Sequence, residues 1–261
     1  MKYGICHLSV VPCRLEPADT SEMVTQLLFG ETVSIYEEKK GNWRRIKTAY
    51  DNYPCWIDHK QVTIISEEEF EKINSSPFIV SSELISIAQN KTTQEYTPIV
   101  LGSSLPHFKC STTIINETPF TYEGENYNAA TPPSSKNNII DNAFLYINAP
   151  YLWGGRSPFG IDCSGFSQII YKLNGFILPR DASQQAEIGQ TLSFIEESEP
   201  GDLAFFDNEE GNIIHVGIML DNNRIIHASG CVRIDKIDHQ GIYNVDTNTY
   251  SHRLRLIKKV L

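Results

Sequence analysis

Residues 160–166, Gly160-Ile161-Asp162-Cys163-Ser164-Gly165-Phe166, run into SGFSQIIYKL (164–173), and Gly155, Gly160 and Gly175 bracket the stretch. Its apolar spacing predicts a helix with Cys163 at its start. A thiol there feels the positive end of the helix dipole, which lowers its pKa and favours the thiolate, the species that attacks carbonyl carbon. The N–H groups of a first helical turn lack partners within the helix, so they can receive the oxyanion of a tetrahedral intermediate. Upstream, IIDNAFLYINA (139–149) also has helical spacing, and three strands are expected downstream in DLAFF (202–206), IIHVGIML (213–220) and NRIIHASG (223–230). Helices followed by strands indicate an α+β domain with helices packed on an antiparallel sheet.

A nucleophilic thiol needs an imidazole, and the chain has 7 histidines. His215 lies in an apolar strand between Ile214 and Val216, where a polar ring needs a partner. His227 follows with the same two-isoleucine prefix. A hairpin turning at Asp221-Asn222-Asn223 would set the two rings nearly opposite each other, so that one orients the other in a Cys-His-polar arrangement. The competing reading is two core histidines that satisfy each other. His7, His59, His107, His239 and His252 are expected to be surface or satisfied core residues. Of the 6 cysteines, Cys6, Cys13, Cys55, Cys110 and Cys231 read as structural thiols. No CxxC pair with matching histidines occurs, so neither a metal nor another cofactor is expected.

Before this region the texture is different. VTQLLF, ETVSIYEE, WRRIKTAY and DNYPCWIDHKQVTII are short β-rich runs, with turn chemistry at Gly30 and Lys40-Gly41-Asn42, so residues 1–65 read as a small barrel. Ser66 to Glu69 (SEEE) is a capping box that opens a linker helix, and residues 66–128 continue as many short strands in a second module. The stretch AATPPSSKNN (129–138) links to a third module, 129–261. With 22 Lys+Arg against 32 Asp+Glu the net charge is -10, which argues against nucleic acid or an anionic membrane as partner. No apolar run approaches the roughly 18–20 residues of a spanning helix. MKYGICHLSVVPCRLEP has no unbroken apolar core of a secretory signal, so a cytoplasmic location is expected, or a periplasmic one if a leader has been removed.

Five ordered motifs carry a family resemblance: Tyr151-Leu152-Trp153-Gly154-Gly155, Asp162-Cys163-Ser164-Gly165-Phe166, Leu178-Pro179-Arg180-Asp181-Ala182-Ser183, Pro200-Gly201-Asp202-Leu203-Ala204-Phe205-Phe206 and His215-Val216-Gly217-Ile218. Together, over about 139–261, they resemble the NlpC/P60 cysteine peptidases. The resemblance implies a papain-like catalytic fold with Cys163 as nucleophile, His215 as general base and acid, His227 as the residue orienting it, and Tyr151 beside the thiol near the oxyanion. The front half resembles the paired bacterial SH3-like (SH3b) modules of the γ-D-glutamyl-L-diamino-acid endopeptidases within that family. Such enzymes cleave murein stem peptides bearing a free N-terminal L-Ala, in cell-wall peptide recycling, with the first barrel capping the site.

By motif position the resemblance implies substrate binding by Glu22, Tyr53, Asp162, Ser164 and Asp181, with Trp153 lining the approach. Ala182 stands where some members have serine, which removes one hydrogen bond. Each position also has a plainer reading: Glu22 a solvated carboxylate, Tyr53 a barrel-core ring, Trp153 a packing residue, Asp181 a helix N-cap, Arg180 a structural partner of a carboxylate. Burying a substrate ammonium costs several kcal/mol unless carboxylates meet it, so a site lined by Asp and Glu would reject an acylated amine. Rival functions are an N-acetylmuramoyl-L-alanine amidase or acyltransferase on the same fold, and a non-catalytic wall-binding protein. A monomer is expected.

Overall fold

A computed structural model of the chain describes residues 1–39, 42–76, 78–129, 136–221 and 223–260, Lys136 and Asn137 through their backbone only. Residues 40, 41, 130–135 and 222, which carry parts of the expected turns and linker, lie outside the described residues. The chain divides into two compact units, one holding residues up to 129 together with 153–158, the other 136–152 and 159–260.

In the first unit, seven antiparallel strands form one sheet in the order Met23–Leu28, Val10–Arg14, Pro54–Asp58, Trp43–Thr48, Thr32–Lys39, Lys2–Cys6, Val62–Ile65. Alternation along these strands drives Val11, Cys13, Val33, Ile35, Ile46, Cys55 and Ile57 into a common core with Cys6, Leu27 and Val62. Three of the cysteines are therefore packing residues. Ser66 caps the helix Glu67–Ser75 by accepting from the Glu69 N–H at 3.1 Å, one half of the expected capping box, while the Glu69 carboxylate lies 2.7 Å from His107 Nε2. A four-stranded sheet follows (Tyr96–Val100, Ile85–Asn90, Thr118–Tyr122, Thr112–Ile115), with a separate pair Ile79–Ser81 and Asn126–Asn128. Its residues Ala88, Ile99, Ile115 and Phe120, with Leu105 from the connecting turn, pack with Ile5 and Ile65 of the first sheet and with Phe29 just past Met23–Leu28.

Segment 153–158 belongs to this unit through polar contacts. The Arg156 guanidinium meets Glu31 in two hydrogen bonds of 2.9 and 3.0 Å, both side chains buried, and donates to the Gln26 carbonyl at 2.6 Å.

In the second unit the helix Lys136–Phe144 ends earlier than the apolar spacing of 139–149 suggests, giving way to turns and to Asn148 at φ 65°. The helix Cys163–Leu173 is buried along its whole length and packs on the strands Ile213–Leu220 and Arg224–Ser229. The three expected strands exist, and four more join them. The order is Gln190–Leu192, Thr249–Lys259, Leu203–Asp207, Ile213–Leu220, Arg224–Ser229, Cys231–Ile237, Gly241–Asn244. Gly241–Asn244 also pairs with Thr249–Lys259, so six strands close on themselves. Closure brings Gly241 so near its neighbour that a Cβ would lie 1.8 Å from the His252 carbonyl oxygen, and its φ of 143° also requires glycine. Ala204, Phe206, Met219, Ile225, Ile237, Ile242 and Ile257 fill the core.

Candidate functional site: a buried thiol and a chain of imidazoles

Cys163 is the first residue of its helix, as predicted, and Asp162 is the N-cap, accepting from the Gly165 N–H at 2.7 Å. The thiol is 7% exposed and accepts from the backbone N–H of Val216, the residue after His215. Its acidity runs opposite to the expectation from helix position. Burial pushes it up to about 12 and the Asp162 charge adds to this, against the Val216 N–H, Arg180 and the Ser164 N–H. Desolvation outweighs the helix dipole because the whole first turn is inside the protein. The resting thiol is therefore protonated and needs a base.

Asp162 is itself neutralised. Arg180, 1% exposed, grips its two oxygens at 3.0 and 2.6 Å and also donates to Ser164 Oγ at 2.8 Å. Arg180 thus takes the structural carboxylate partnership read from the sequence, and Ser164 lies in the same cluster. Gln185 donates to the Ser164 carbonyl and to that of Pro179, both at 2.9 Å, and accepts from Ser167 at 2.6 Å, locking the next turn. Asp181 is the N-cap of the short helix Ala182–Gln185, and its N–H donates to Gln184. Tyr151 is pushed up to about 12, first by burial and then by its neighbours Cys163 and Asp162, so its phenol stays a donor.

His215 and His227 do meet: His215 Nε2 is 2.8 Å from His227 Nδ1, and both rings are buried. The meeting is diagonal, not face to face. The hairpin closes at Leu220↔Arg224, with Ile218 opposite Ile226, so His227 falls opposite Gly217. A Cβ at Gly217 would lie 2.9 Å from His227 Cβ and 2.6 Å from Ile225, so glycine there makes room for the ring. Both imidazoles share the inward face with Met219 and Ile225 of the core.

Sequence reasoning missed two residues here. His252 stacks on His215 with ring centroids 4.1 Å apart, and burial holds it down to about 4. It reaches the cluster from across Leu203–Asp207, through the strand whose pairing closes the sheet. Asp235 accepts from or faces His227 Nε2 at 3.0 Å. A hairpin at Gly230, which has φ 74°, would have been the signal, since it pairs His227 with Arg233 and Ile225 with Asp235. Burial and the two imidazole neighbours His227 and His252 keep His215 well below the usual range, so its ring is neutral.

Glu22, Tyr53 and Trp153 fall in the first unit. Glu22 is exposed and accepts from the Trp153 indole N–H at 2.6 Å. Tyr53 is half-buried at the end of the turn before Pro54–Asp58, its N–H donating to Thr48 Oγ1 at 2.9 Å. Among the described residues, no group of three or more His, Cys, Asp or Glu is arranged to hold a metal.

A buried thiol at a helix head that accepts from the N–H following His215, whose imidazole is held by a second imidazole, is a layout suited to acyl transfer by a thiol. Residues 148–252 match the NlpC/P60 family, and residues 14–62 match the bacterial dipeptidyl-peptidase Sh3 domain. The chain is 30% identical over 220 residues to the gamma-D-glutamyl-L-lysine dipeptidyl-peptidase of Bacillus subtilis, spanning 78% of this chain and 71% of that one. It is 28% identical over 257 residues to dipeptidyl-peptidase 6 of Lysinibacillus sphaericus, spanning 90% and 92%. A crystal structure of an NlpC/P60 family protein from Bacillus cereus shares the fold, with TM-score 0.84, 21% identity and 99% of each chain covered. The chain belongs to the NlpC/P60 family.

Proposed function

We propose that this protein is a cysteine endopeptidase that hydrolyses the γ-D-Glu–L-diamino acid bond of murein stem peptides with a free N-terminal L-Ala, releasing L-Ala-γ-D-Glu during cell-wall peptide recycling. The observation that carries the reading is the placement of Cys163 at the Val216 N–H, one residue from His215, with His215 bonded to His227. The likeness to two dipeptidyl-peptidases supports the substrate class. In this reading residues 129–261 form the papain-like α+β catalytic domain, and 1–65 and 66–128 are two SH3-like modules.

The chemistry follows from the protonation states. His215, neutral, takes the thiol proton as Sγ bonds to the γ-carbonyl carbon, and the Cys163 N–H with the Tyr151 phenol stabilises the oxyanion. The imidazolium then protonates the leaving amine as the C–N bond breaks, giving a thioester. Water, deprotonated by His215, attacks the thioester and returns the thiol. Glu22, Tyr53, Trp153, Asp162, Ser164 and Asp181 are assigned to substrate binding. With both Asp162 oxygens held by Arg180, the ammonium needs a further carboxylate.

The test compares L-Ala-γ-D-Glu-L-Lys with its N-acetyl form by mass spectrometry of the products. Cleavage of the free peptide alone is expected, with the acetylated one at least roughly 100-fold slower, about 2.7 kcal/mol for an unpaired buried charge. Equal cleavage of both would remove the amine requirement, and release of products split elsewhere would point to an amidase or acyltransferase.

The pH dependence has a definite sign. The base must be neutral, and His215 is held below 6.5, so kcat/KM is expected to persist below pH 6.5 before its acid limb appears. An acid limb at or above 6.5 in a kcat/KM profile would contradict this. Deprotonation of the thiol near 12 contributes no limb in the neutral range.

A further inference from the structure

His227 presents its two nitrogens to two different partners. Nδ1 faces His215 Nε2 at 2.8 Å, and Nε2 faces Asp235 Oδ2 at 3.0 Å. The His227 and Asp235 side chains are each 1% exposed, so no water competes for this bond. Asp235 is held in turn by Arg233, whose Nη2 donates to Oδ1 at 2.9 Å while its Nε lies 2.7 Å from Oδ2. Arg233 is anchored beyond by Asp246 at 2.8 Å. Among the described residues, Arg233, His227 and His252 are the charged and titratable groups that act on the carboxylate. Burial alone would raise the Asp235 carboxyl, but the bonds from His227 and Arg233 outweigh it and hold it below the usual range.

We propose that Asp235 is a positioning residue that fixes His227 as its Nε2–H tautomer and so leaves the outer nitrogen of His215 bare to receive the Cys163 proton. The inference rests on the roles given above to Cys163 and His215. Its logic is a count of protons. An ionised carboxylate only accepts, so His227 Nε2 must carry the hydrogen. A neutral imidazole has one N–H, so His227 Nδ1 is an acceptor, and His215 Nε2 must donate to it. His215 Nδ1 then has its lone pair free. When the thiol proton arrives there, His215 becomes an imidazolium whose Nε2–H still points at His227, and the Asp235 charge stabilises it through one ring. No proton reaches Asp235.

Asp235→Asn inverts this order. The one remaining carbonyl oxygen is drawn to the Arg233 guanidinium, which turns the amide N–H toward His227 Nε2. His227 must then carry its proton on Nδ1, and His215 must carry its own on Nδ1, the nitrogen proposed to receive the thiol proton. The expected result is a kcat loss of roughly 100-fold or more at nearly unchanged KM, with Asp235→Glu restoring much of it. Nitrogen-15 NMR of histidine-labelled wild-type protein should show His227 with protonated Nε2 and bare Nδ1, and the Asn variant should show the reverse. A purely structural carboxylate would change melting temperature and leave tautomers and kcat alone.

Wild-type His227 protonated on Nδ1, or a folded Asn variant with full kcat, would overturn the proposal. The NMR measurement on the wild type decides the matter even if the variant does not fold. Cys163→Ala separates the levels: if it is inactive while Asp235→Asn is fully active, only the role of Asp235 fails, and if it is active, the catalytic reading fails as well.

Discussion

Cys163→Ala is expected to lower turnover of L-Ala-γ-D-Glu-L-Lys by roughly 10⁴-fold or more while leaving the fold intact. The size follows from the covalent route, because without the sulfur there is no thioester and water must attack the amide directly. Little structural disturbance is expected, since the substitution removes a single buried sulfur, and the Val216 residue whose N–H it accepts from stays paired with Phe205 within its strand. Product release measured by liquid chromatography, with circular dichroism on the same sample, tests both parts. Wild-type turnover in the alanine variant would end the cysteine-peptidase reading. Because the thiol is buried and protonated, His215 must move its proton during attack, so His215→Ala should fall nearly as far; the two residues act as one unit.

The largest effect on stability is expected at Arg180. Its guanidinium is 1% exposed and holds a carboxylate that is 5% exposed. Arg180→Met puts a shorter apolar side chain in place of the guanidinium and leaves the Asp162 charge beside the Gly165 N–H and Ser164 without its cation. Breaking such a pair costs roughly 3–5 kcal/mol, against about zero for replacing both members by groups that need no partner. Urea unfolding should show the single variant shifted strongly to lower denaturant, and Asp162→Asn combined with Arg180→Met should recover part of the loss. A single variant as stable as wild type would mean that the Asp162 carboxyl is satisfied without Arg180. Activity should fall too, since Asp162 caps the helix that presents Cys163.

Local chemistry was readable in the text of the chain. Ser66 caps its helix and Cys163 begins its own, because capping depends on residues within three or four positions. The pairing of His215 with His227 was readable to within a register step, since a short hairpin leaves little freedom. That step still mattered: the closing pair Leu220↔Arg224 makes the contact diagonal and puts Gly217 beneath the ring.

Residues joined across long stretches were not legible. Arg156 meets Glu31 over 125 positions, and nothing near either residue marks the other. His252 reaches His215 through a strand that closes the sheet, a closure that depends on Gly241 and on pairings no local pattern encodes. Asp235 needed one more hairpin register beyond His227.

The amino-acid sequence by itself determined the helix that begins with the thiol, the order of strands that follows, and the five motifs that carry the family resemblance, because each depends on neighbours along the chain. The tertiary structure alone decided how acidic that thiol is and which groups surround it. Helix position favours the thiolate, but enclosing the whole first turn removes the water that would solvate the charge, and that desolvation exceeds what the dipole returns.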